Sequence, residues 1–154
     1  MDIYEKRLCA YMQEQDIQAE HLSLNQSCHS VAEAALAVHA TPEDLVKNIC
    51  LVDTDGHLIT AIVKGEDRVS TSRIAKILER NGLRLATPAE ILEKTGYPCG
   101  GTPSFGYPAR FLVDSKVMER EIVFTGGGSE TALVKIRTGE LVRANQGSIV
   151  RIRK

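Results

Sequence analysis

The stretch NICLVDTDGHLITAIV, residues 48–63, decides the fold of this chain. Its central dipeptide Asp55-Gly56 is a common turn signal between antiparallel strands, so the stretch predicts a β-hairpin of strands 48–53 and 57–63. Odd and even positions of the first run are both apolar, so apolar side chains fall on both faces of that strand. We therefore expect a sheet that other elements cover on both sides.

Outward from this hairpin, capping signals such as Ser30 with Glu33, Thr41-Pro42 and Thr87-Pro88 open helices. The predicted helices are 4–15, 31–38, 42–46, 70–82 (with Ile74, Ile77 and Leu78 inward and its end at Asn81-Gly82), 88–94 and 139–144. Further strands are predicted at 17–23, 83–86, 109–113, 121–125, 131–137 and 148–152. This order lacks a regular βαβ alternation, which excludes a doubly wound nucleotide-binding fold. It predicts a mixed α/β class, with a largely antiparallel sheet surrounded by helices.

Length and composition are those of an ordinary globular protein. The 154 residues are 43% apolar and 25% charged, so we expect a single domain over residues 1–154. No apolar run approaches the ~20 residues that span a bilayer, and residues 1–7 lack a signal-peptide pattern. We therefore expect a cytoplasmic protein without membrane contact. The four cysteines (Cys9, Cys28, Cys50 and Cys99) show no CxxC pair and no metal-ligand spacing, which favours reduced thiols and predicts no metal site.

The formal net charge of −1 limits the kind of nucleic acid that the chain could bind. A protein that holds a long duplex through many phosphates is usually basic. A nucleic-acid partner would therefore be held by a terminal nucleotide or a short segment, or with the help of another protein.

Two glycine-rich segments are candidate walls of a binding site. Residues 96–106, the first glycine loop, contain four glycines and two prolines, which excludes a regular helix or a central strand. Successive glycine amides can point the same way and donate to an oxyanion or a phosphate. Residues 126–129 (Gly-Gly-Gly-Ser), the second glycine loop, lack the ending of a P-loop. They are predicted to pass close to a ligand or to a neighbouring loop.

Lys47 and Asp114 are candidate functional groups, and each has two interpretations. Lys47 follows the predicted helix 42–46, so it either complements the dipole of that helix or offers its ammonium to an ester or phosphate oxygen. Asp114 ends an apolar strand and is either a general base or a helix cap. The hydrolase signatures GxSxG and HExxH are absent. Cys99 is a candidate nucleophile, but the sequence offers no activating base for it.

A series of short segments carries a family resemblance by its order and spacing: residues 30–35 (SVAEAA), 45–48 (LVKN), 64–68 (KGEDR), 85–90 (LATPAE), 112–114 (LVD) and the two glycine loops. Together they resemble the YbaK-like aminoacyl-tRNA deacylases, which are related to the editing domain of bacterial prolyl-tRNA synthetases. The resemblance runs from Ser30 to the C-terminus. It implies a mixed α/β fold around a partly closed, largely antiparallel sheet.

The resemblance also implies an activity, namely hydrolysis of the ester that joins a wrong amino acid to the terminal adenosine of a tRNA. Lys47 matches the key lysine of the family and is the implied catalytic residue, which orients the substrate. The predicted substrate-binding residues are Gly100, Gly101, Thr102, Ser30, Asp114 and Gly127, with the first two offering backbone amides to the carbonyl oxygen. The attacking water would be activated by the ribose hydroxyl of the substrate, or replaced by the thiol of a cysteinyl substrate, without a metal or other cofactor.

The implied partner is the aminoacylated 3′ end of a tRNA, such as tRNAPro carrying cysteine or alanine. The sequence leaves open whether the protein acts alone or with a prolyl-tRNA synthetase. Three positions depart from the family pattern or vary within it, which leaves the rejected amino acid open. Ser104 stands where many relatives have a proline, Asn48 follows the lysine where a small hydroxyl residue is common, and Cys99 occupies a variable position. Two alternatives remain, a non-catalytic module that binds an aminoacylated end or a nucleotide and a thiol hydrolase that uses Cys99.

Overall fold

Two β-sheets form the framework of the computed structural model, which describes residues 1–154. The strands are β1 (Ala19–Ser23), β2 (Val46–Val52), β3 (Leu58–Lys64), β4 (Arg84–Leu85), β5 (Arg110–Asp114), β6 (Ile122–Gly126), β7 (Ala132–Arg137) and β8 (Ser148–Val150). The helices are α1 (Ile3–Glu14), α2 (Val31–Ala37), α3 (Thr71–Leu78), α4 (Pro88–Thr95) and α5 (Thr138–Asn145). Short 3₁₀ segments lie at Pro42–Asp44, Cys99–Gly101 and Ser115–Glu119.

The predicted hairpin is confirmed and lies at the centre of the larger sheet. β2 and β3 pair antiparallel along their whole length, within two residues of the predicted bounds. Asp53 fixes the turn between them, because its Oδ1 accepts hydrogen bonds from the amides of Asp55 and His57, each at 2.9 Å. Gly56 supplies the left-handed backbone that the turn needs, with φ 82°.

The larger sheet has the strand order β4-β2-β3-β5-β8, and the smaller has the order β1-β7-β6. Four of the strand pairs are antiparallel, whereas β5 runs parallel to both β3 and β8. A parallel bridge between Leu45 and Phe124 joins the two sheets beside the start of β2. The expectation of a mixed α/β fold with largely antiparallel strands is therefore confirmed.

The larger sheet is covered on both faces along its central strands, as the sequence of β2 predicted. Cys50 faces a core cluster of 19 buried residues, to which the smaller sheet contributes Val134. Leu51 faces the opposite cluster of 7 buried residues, which Ile74 of α3 closes. Full burial of one such aliphatic side chain stabilises the fold by about 1.5–3 kcal/mol.

Serine and threonine hydroxyls cap the starts of three helices. The hydroxyls of Ser30, Ser70 and Thr87 each accept a hydrogen bond from the amide three residues later, at the beginning of α2, α3 and α4. None of the helices combines the length and the apolar character that crossing a bilayer requires.

Two helix predictions are wrong in detail. The predicted helix 42–46 is only the 3₁₀ segment Pro42–Asp44, because β2 already pairs with β3 from Val46 onward. α3 ends at Leu78, before the expected Asn81-Gly82, because Glu79 adopts a left-handed conformation with φ 54°. Ile77 was expected to point inward but is 38% exposed.

Candidate functional site

A cavity of about 240 Å³ contains the predicted lysine at the start of β2. Its walls come from the segment leading into α2, the start of β2, the first glycine loop and the end of β6. The lining residues are 28–31, 34, 45–49, 99, 100, 102, 125, 126 and 133. The cavity therefore brings together four of the predicted site residues: Lys47, Ser30, Gly100 and Thr102.

Lys47 gives the cavity its electrostatic character. The residue is half-buried, and β3 fixes its backbone through the pairing of Lys47 with Val63. No aspartate or glutamate lines the cavity, and none of the ion pairs of the structure involves Lys47. A cation without a neighbouring acid suits a ligand that carries or develops negative charge.

Gly100 and Gly101 differ sharply, although they are neighbours. Gly100 lines the cavity, and the structure gives its amide no protein acceptor. The Gly101 amide instead donates to the Pro98 carbonyl at 2.9 Å, and the Gly101 carbonyl accepts from Gly128 at 2.8 Å. The expectation that Gly101 offers its amide to a substrate is therefore wrong, and for Gly100 it stays a prediction.

At Gly101 and Gly127 the backbone of another segment lies so close that a side chain would not fit. A Cβ at Gly101 would lie 2.4 Å from the Ser129 nitrogen, and one at Gly127 would lie 2.5 Å from the Ala132 carbonyl carbon. Neither residue lines the cavity. The second glycine loop passes close to the first, as expected, and its Gly126 also lines the cavity.

Asp114 does not face the cavity, and its carboxylate is fully engaged elsewhere. It is 0% exposed, and it accepts hydrogen bonds from the amides of Lys116, Ile152 and Arg153 and from the Arg153 guanidinium. Burial opposes ionisation of this carboxyl, but these donors outweigh burial and lower its pKa. The predicted substrate contact of Asp114 is thus replaced by the alternative role of a cap.

A polar network that the sequence did not predict forms beside Lys47. The Asn48 side-chain amide donates to the Thr102 carbonyl at 2.9 Å and to the Thr125 hydroxyl at 3.0 Å. The buried Ser104 hydroxyl lies 2.7 Å from both Asn48 Oδ1 and Thr125 Oγ1. Asn48 and Ser104, which depart from the family pattern, are therefore direct partners. The fact that both residues depart from the family pattern was the sequence signal that could have predicted their contact.

His29 and Cys99 border the cavity on the solvent side. His29 Nδ1 lies 3.3 Å from a carboxylate oxygen of Glu130, and both side chains are more than half exposed. The imidazole covers Gly100, since a Cβ at Gly100 would lie 2.3 Å from His29 Nδ1. Ser30 lies beside this pair, but its hydroxyl is engaged with Glu33 as the cap of α2.

All four cysteines are unpaired, and only Cys99 is exposed. Burial raises the pKa of the Cys28 thiol, and burial raises that of Cys50 to about 11. Neither buried thiol is therefore a ready nucleophile.

One cluster of side chains that could bind a metal ion does occur, although the spacing of the cysteines predicted no metal site. Ligand atoms of Asp53, Asp55 and His57 lie within 4.8 Å of one another at the β2–β3 turn. Asp53 already binds Arg80 at 2.7 Å and the two amides of the turn. Its role in the turn accounts for this carboxylate, and the group does not line the cavity.

Comparisons with solved structures agree with this architecture. A structure described as "a putative trans-editing enzyme for prolyl tRNA synthetase" matches with a TM-score of 0.93 and 24% identity, over 100% of this chain and 99% of that one. The hypothetical protein APE2540 matches with a TM-score of 0.88 and 26% identity, over 96% of this chain and 99% of that one.

Sequence comparisons reach proline–tRNA ligases. The enzyme of Thermotoga neapolitana is 26% identical over 98 residues, 64% of this chain and 17% of the ligase. That of Moorella thermoacetica is 32% identical over 71 residues, 46% of this chain and 12% of the ligase. The chain thus spans less than a fifth of the length of these two ligases. A sequence model of the aminoacyl-tRNA editing domain matches residues 25–144, which is most of the chain. This protein therefore belongs to the aminoacyl-tRNA editing domain family.

Proposed function

We propose that this chain is an aminoacyl-tRNA deacylase, which hydrolyses the ester of a mischarged tRNA as a free-standing editing enzyme. The observation that carries the proposal is that Lys47 has no ion-pair partner and lines a cavity without acidic residues. Membership of the editing-domain family supports the reaction class. Lys47 is the proposed catalytic residue.

The reaction needs stabilisation of one negative charge. Water adds to the ester carbonyl carbon, and the carbonyl oxygen becomes an oxyanion that the Lys47 ammonium and the Gly100 amide stabilise. The bond to the ribose oxygen then breaks, which releases the amino acid and the free ribose hydroxyl. The proposed base for the water is the neighbouring ribose hydroxyl of the substrate, as the family resemblance implies. It takes a proton from the attacking water while it passes its own proton to the departing ribose oxygen, so the proton count balances. Catalysis would depend mainly on positioning and electrostatics.

The cavity volume supports a small aminoacyl group as the bound part. About 240 Å³ is less than the ~300–1,000 Å³ of sites for drug-sized ligands. The proposed substrates are therefore tRNAPro esters of alanine and cysteine, in line with the similarity to proline–tRNA ligases. Selection by size alone separates one methylene by about 10–200-fold.

The proposed partner is the 3′ end of the tRNA rather than its whole body, because the net charge of −1 provides little attraction for many phosphates. A prolyl-tRNA synthetase is the proposed second partner, which would supply the remaining affinity for tRNA.

Deacylation by the purified chain tests the proposal, with tRNAPro charged with alanine, with cysteine and with proline. Lys47→Met removes the ammonium but keeps the aliphatic stem, and we expect it to lower kcat by about 100–1,000-fold. Lys76→Met in α3, at an exposed position, is the matched control and should act as wild type.

Other outcomes separate the alternatives. Full activity of Lys47→Met would overturn the assigned role of this residue. Binding of an aminoacyl-adenosine analogue without hydrolysis of any of the three esters would support the binding module instead. Cys99→Ser should keep its activity, whereas a thiol hydrolase would lose it.

A further inference from the structure

Helix α1 lies outside the segment that matches the editing-domain family, residues 25–144, yet it contacts both glycine loops. Gly100 and Thr102 of the first loop and Gly126 of the second line the cavity. The position of these loops therefore sets the wall that faces Lys47.

Glu5 of α1 holds the second glycine loop. Its side chain is buried, with the residue 3% exposed. Its carboxylate accepts hydrogen bonds from the Ser129 hydroxyl at 3.1 Å and from the Ser23 hydroxyl of β1 at 2.9 Å. The helix backbone also packs on this loop, since a Cβ at Gly128 would lie 3.2 Å from the Glu5 Cα.

The same carboxylate is held in its ionised form. Burial opposes the charge, but hydrogen bonds from Ser23, the Asp2 amide and Ser129, with His21 nearby, outweigh burial and lower the pKa of Glu5. Charge-assisted hydrogen bonds of this kind are about twice as strong as neutral ones.

Arg7 and Tyr11, which are one turn apart on α1, hold the first glycine loop. Arg7 Nη1 donates to the Gly96 carbonyl at 2.5 Å. The Tyr11 ring stacks on Phe105, with ring centroids 6.3 Å apart, and it lies against Gly106. One face of α1 therefore spans from the start to the end of this loop.

The two glycine loops also contact each other, so α1 packs against two loops that are held together. Gly128 donates to the Gly101 carbonyl at 2.8 Å, and a Cβ at Gly126 would lie 2.1 Å from the Thr102 carbonyl oxygen. A shift of either loop would move the wall of the cavity.

We propose that α1 is a positioning element for the site, in which Glu5 and Arg7 hold the two glycine loops at the geometry that the cavity needs. Neither residue lines the cavity, so both act through the loops. The catalytic consequence of this inference rests on the proposed deacylase function, but the structural consequence does not.

The test compares Glu5→Gln with Glu14→Gln, an exposed substitution at the other end of the same helix. Hydrogen exchange of backbone amides is measured by mass spectrometry in the full chain, on peptides from the glycine loops and from the hairpin 48–63. We expect Glu5→Gln to speed exchange in loops 96–106 and 126–129 by about 10-fold or more, with the hairpin unchanged. Glu14→Gln should leave both unchanged.

Arg7→Met provides a second variant at an exposed position. It should speed amide exchange in loop 96–106 without unfolding the chain. Equal acceleration in the loops and the hairpin, or no acceleration in either variant, would overturn the proposal, because a merely stabilising helix gives no loop-specific effect.

Kinetics of deacylation add a second readout. Displacing the wall by about 1 Å can lower the rate up to about 100-fold, so kcat should fall in Glu5→Gln while KM changes little. Change of KM alone would count against the positioning role. If wild type hydrolyses no ester, the proposed function fails, and the exchange measurement still decides the role of α1.

Discussion

Substitution by alanine should destabilise the chain at Gly101 and leave its stability almost unchanged at the neighbouring Gly100. Neither has a positive φ, so alanine fits the backbone conformation at both, and only the surroundings differ. At Gly101 the new Cβ would lie 2.4 Å from the Ser129 nitrogen and 2.6 Å from the Gly128 carbonyl carbon. Optimal contacts are about 3.5–4.0 Å, so the two loops would have to separate by about 1 Å.

The magnitude for Gly101→Ala follows from these contacts. Overpacking costs about 1–3 kcal/mol, and weakening the Gly128–Gly101 hydrogen bond adds about 1 kcal/mol. We therefore expect a loss of about 3 kcal/mol in the free energy of unfolding. For a chain of this length, that loss lowers Tm by about 6–12 °C.

At Gly100 the nearest atoms to the Cβ would belong to the side chains of His29 and Glu130, at 2.3 and 2.9 Å. Their side chains are 57% and 61% exposed, so they can rotate away, and Gly100→Ala should change stability by less than about 0.5 kcal/mol. Urea and thermal unfolding followed by far-UV circular dichroism measure both variants, since the chain has no tryptophan. Equal stabilities of the two variants would refute the steric reasoning.

Two further substitutions test buried polar groups. Ser104→Ala removes the hydroxyl that donates to Asn48 Oδ1 at 2.7 Å, so urea unfolding should show a loss of about 1–3 kcal/mol; an unchanged midpoint would contradict the network. Asp114→Asn breaks the buried pair with Arg153 and should cost about 3 kcal/mol at pH 7. Because the folded pKa of Asp114 is lowered, its stabilisation is present above the unfolded pKa of about 3.9. It is lost as the pH falls through the folded value, so unfolding curves of wild type and Asp114→Asn should converge in acid.

Features that depend on near neighbours in sequence could be predicted. The caps at Ser30 and Thr87 need only an amide three residues later, and the hairpin needs only its own turn. Asp114 shows the limit, because its carboxylate accepts from Ile152, 38 residues later. Local sequence therefore left a cap and a general base equally open. Ile77 shows another limit of prediction. Helical spacing places it near the apolar face of α3, but it does not tell how much of that face other elements cover, and Ile77 is 38% exposed.

The candidate site could be predicted where motif residues line the cavity, as Lys47 and Gly100 do. Gly101 could not be separated from Gly100, because the difference between them is the second glycine loop, which lies far away in sequence and packs against only one of them. The contacts of α1 with the glycine loops could not be predicted from the sequence either. Glu5 forms part of an ordinary capping box with Asp2, and its contact with Ser129 spans 124 residues.

The pairing of β1 with β7 has a consequence for synthesis of the protein. Ala19 lies opposite Ile136, and ribosomes add about 5–20 residues per second, so the nascent β1 waits on the order of ten seconds for its partner strand. An unpaired strand edge invites aggregation during such a wait. The sequence of β1, Ala-Glu-His-Leu-Ser, carries the exposed Glu20, and its charge discourages association with other newly made chains.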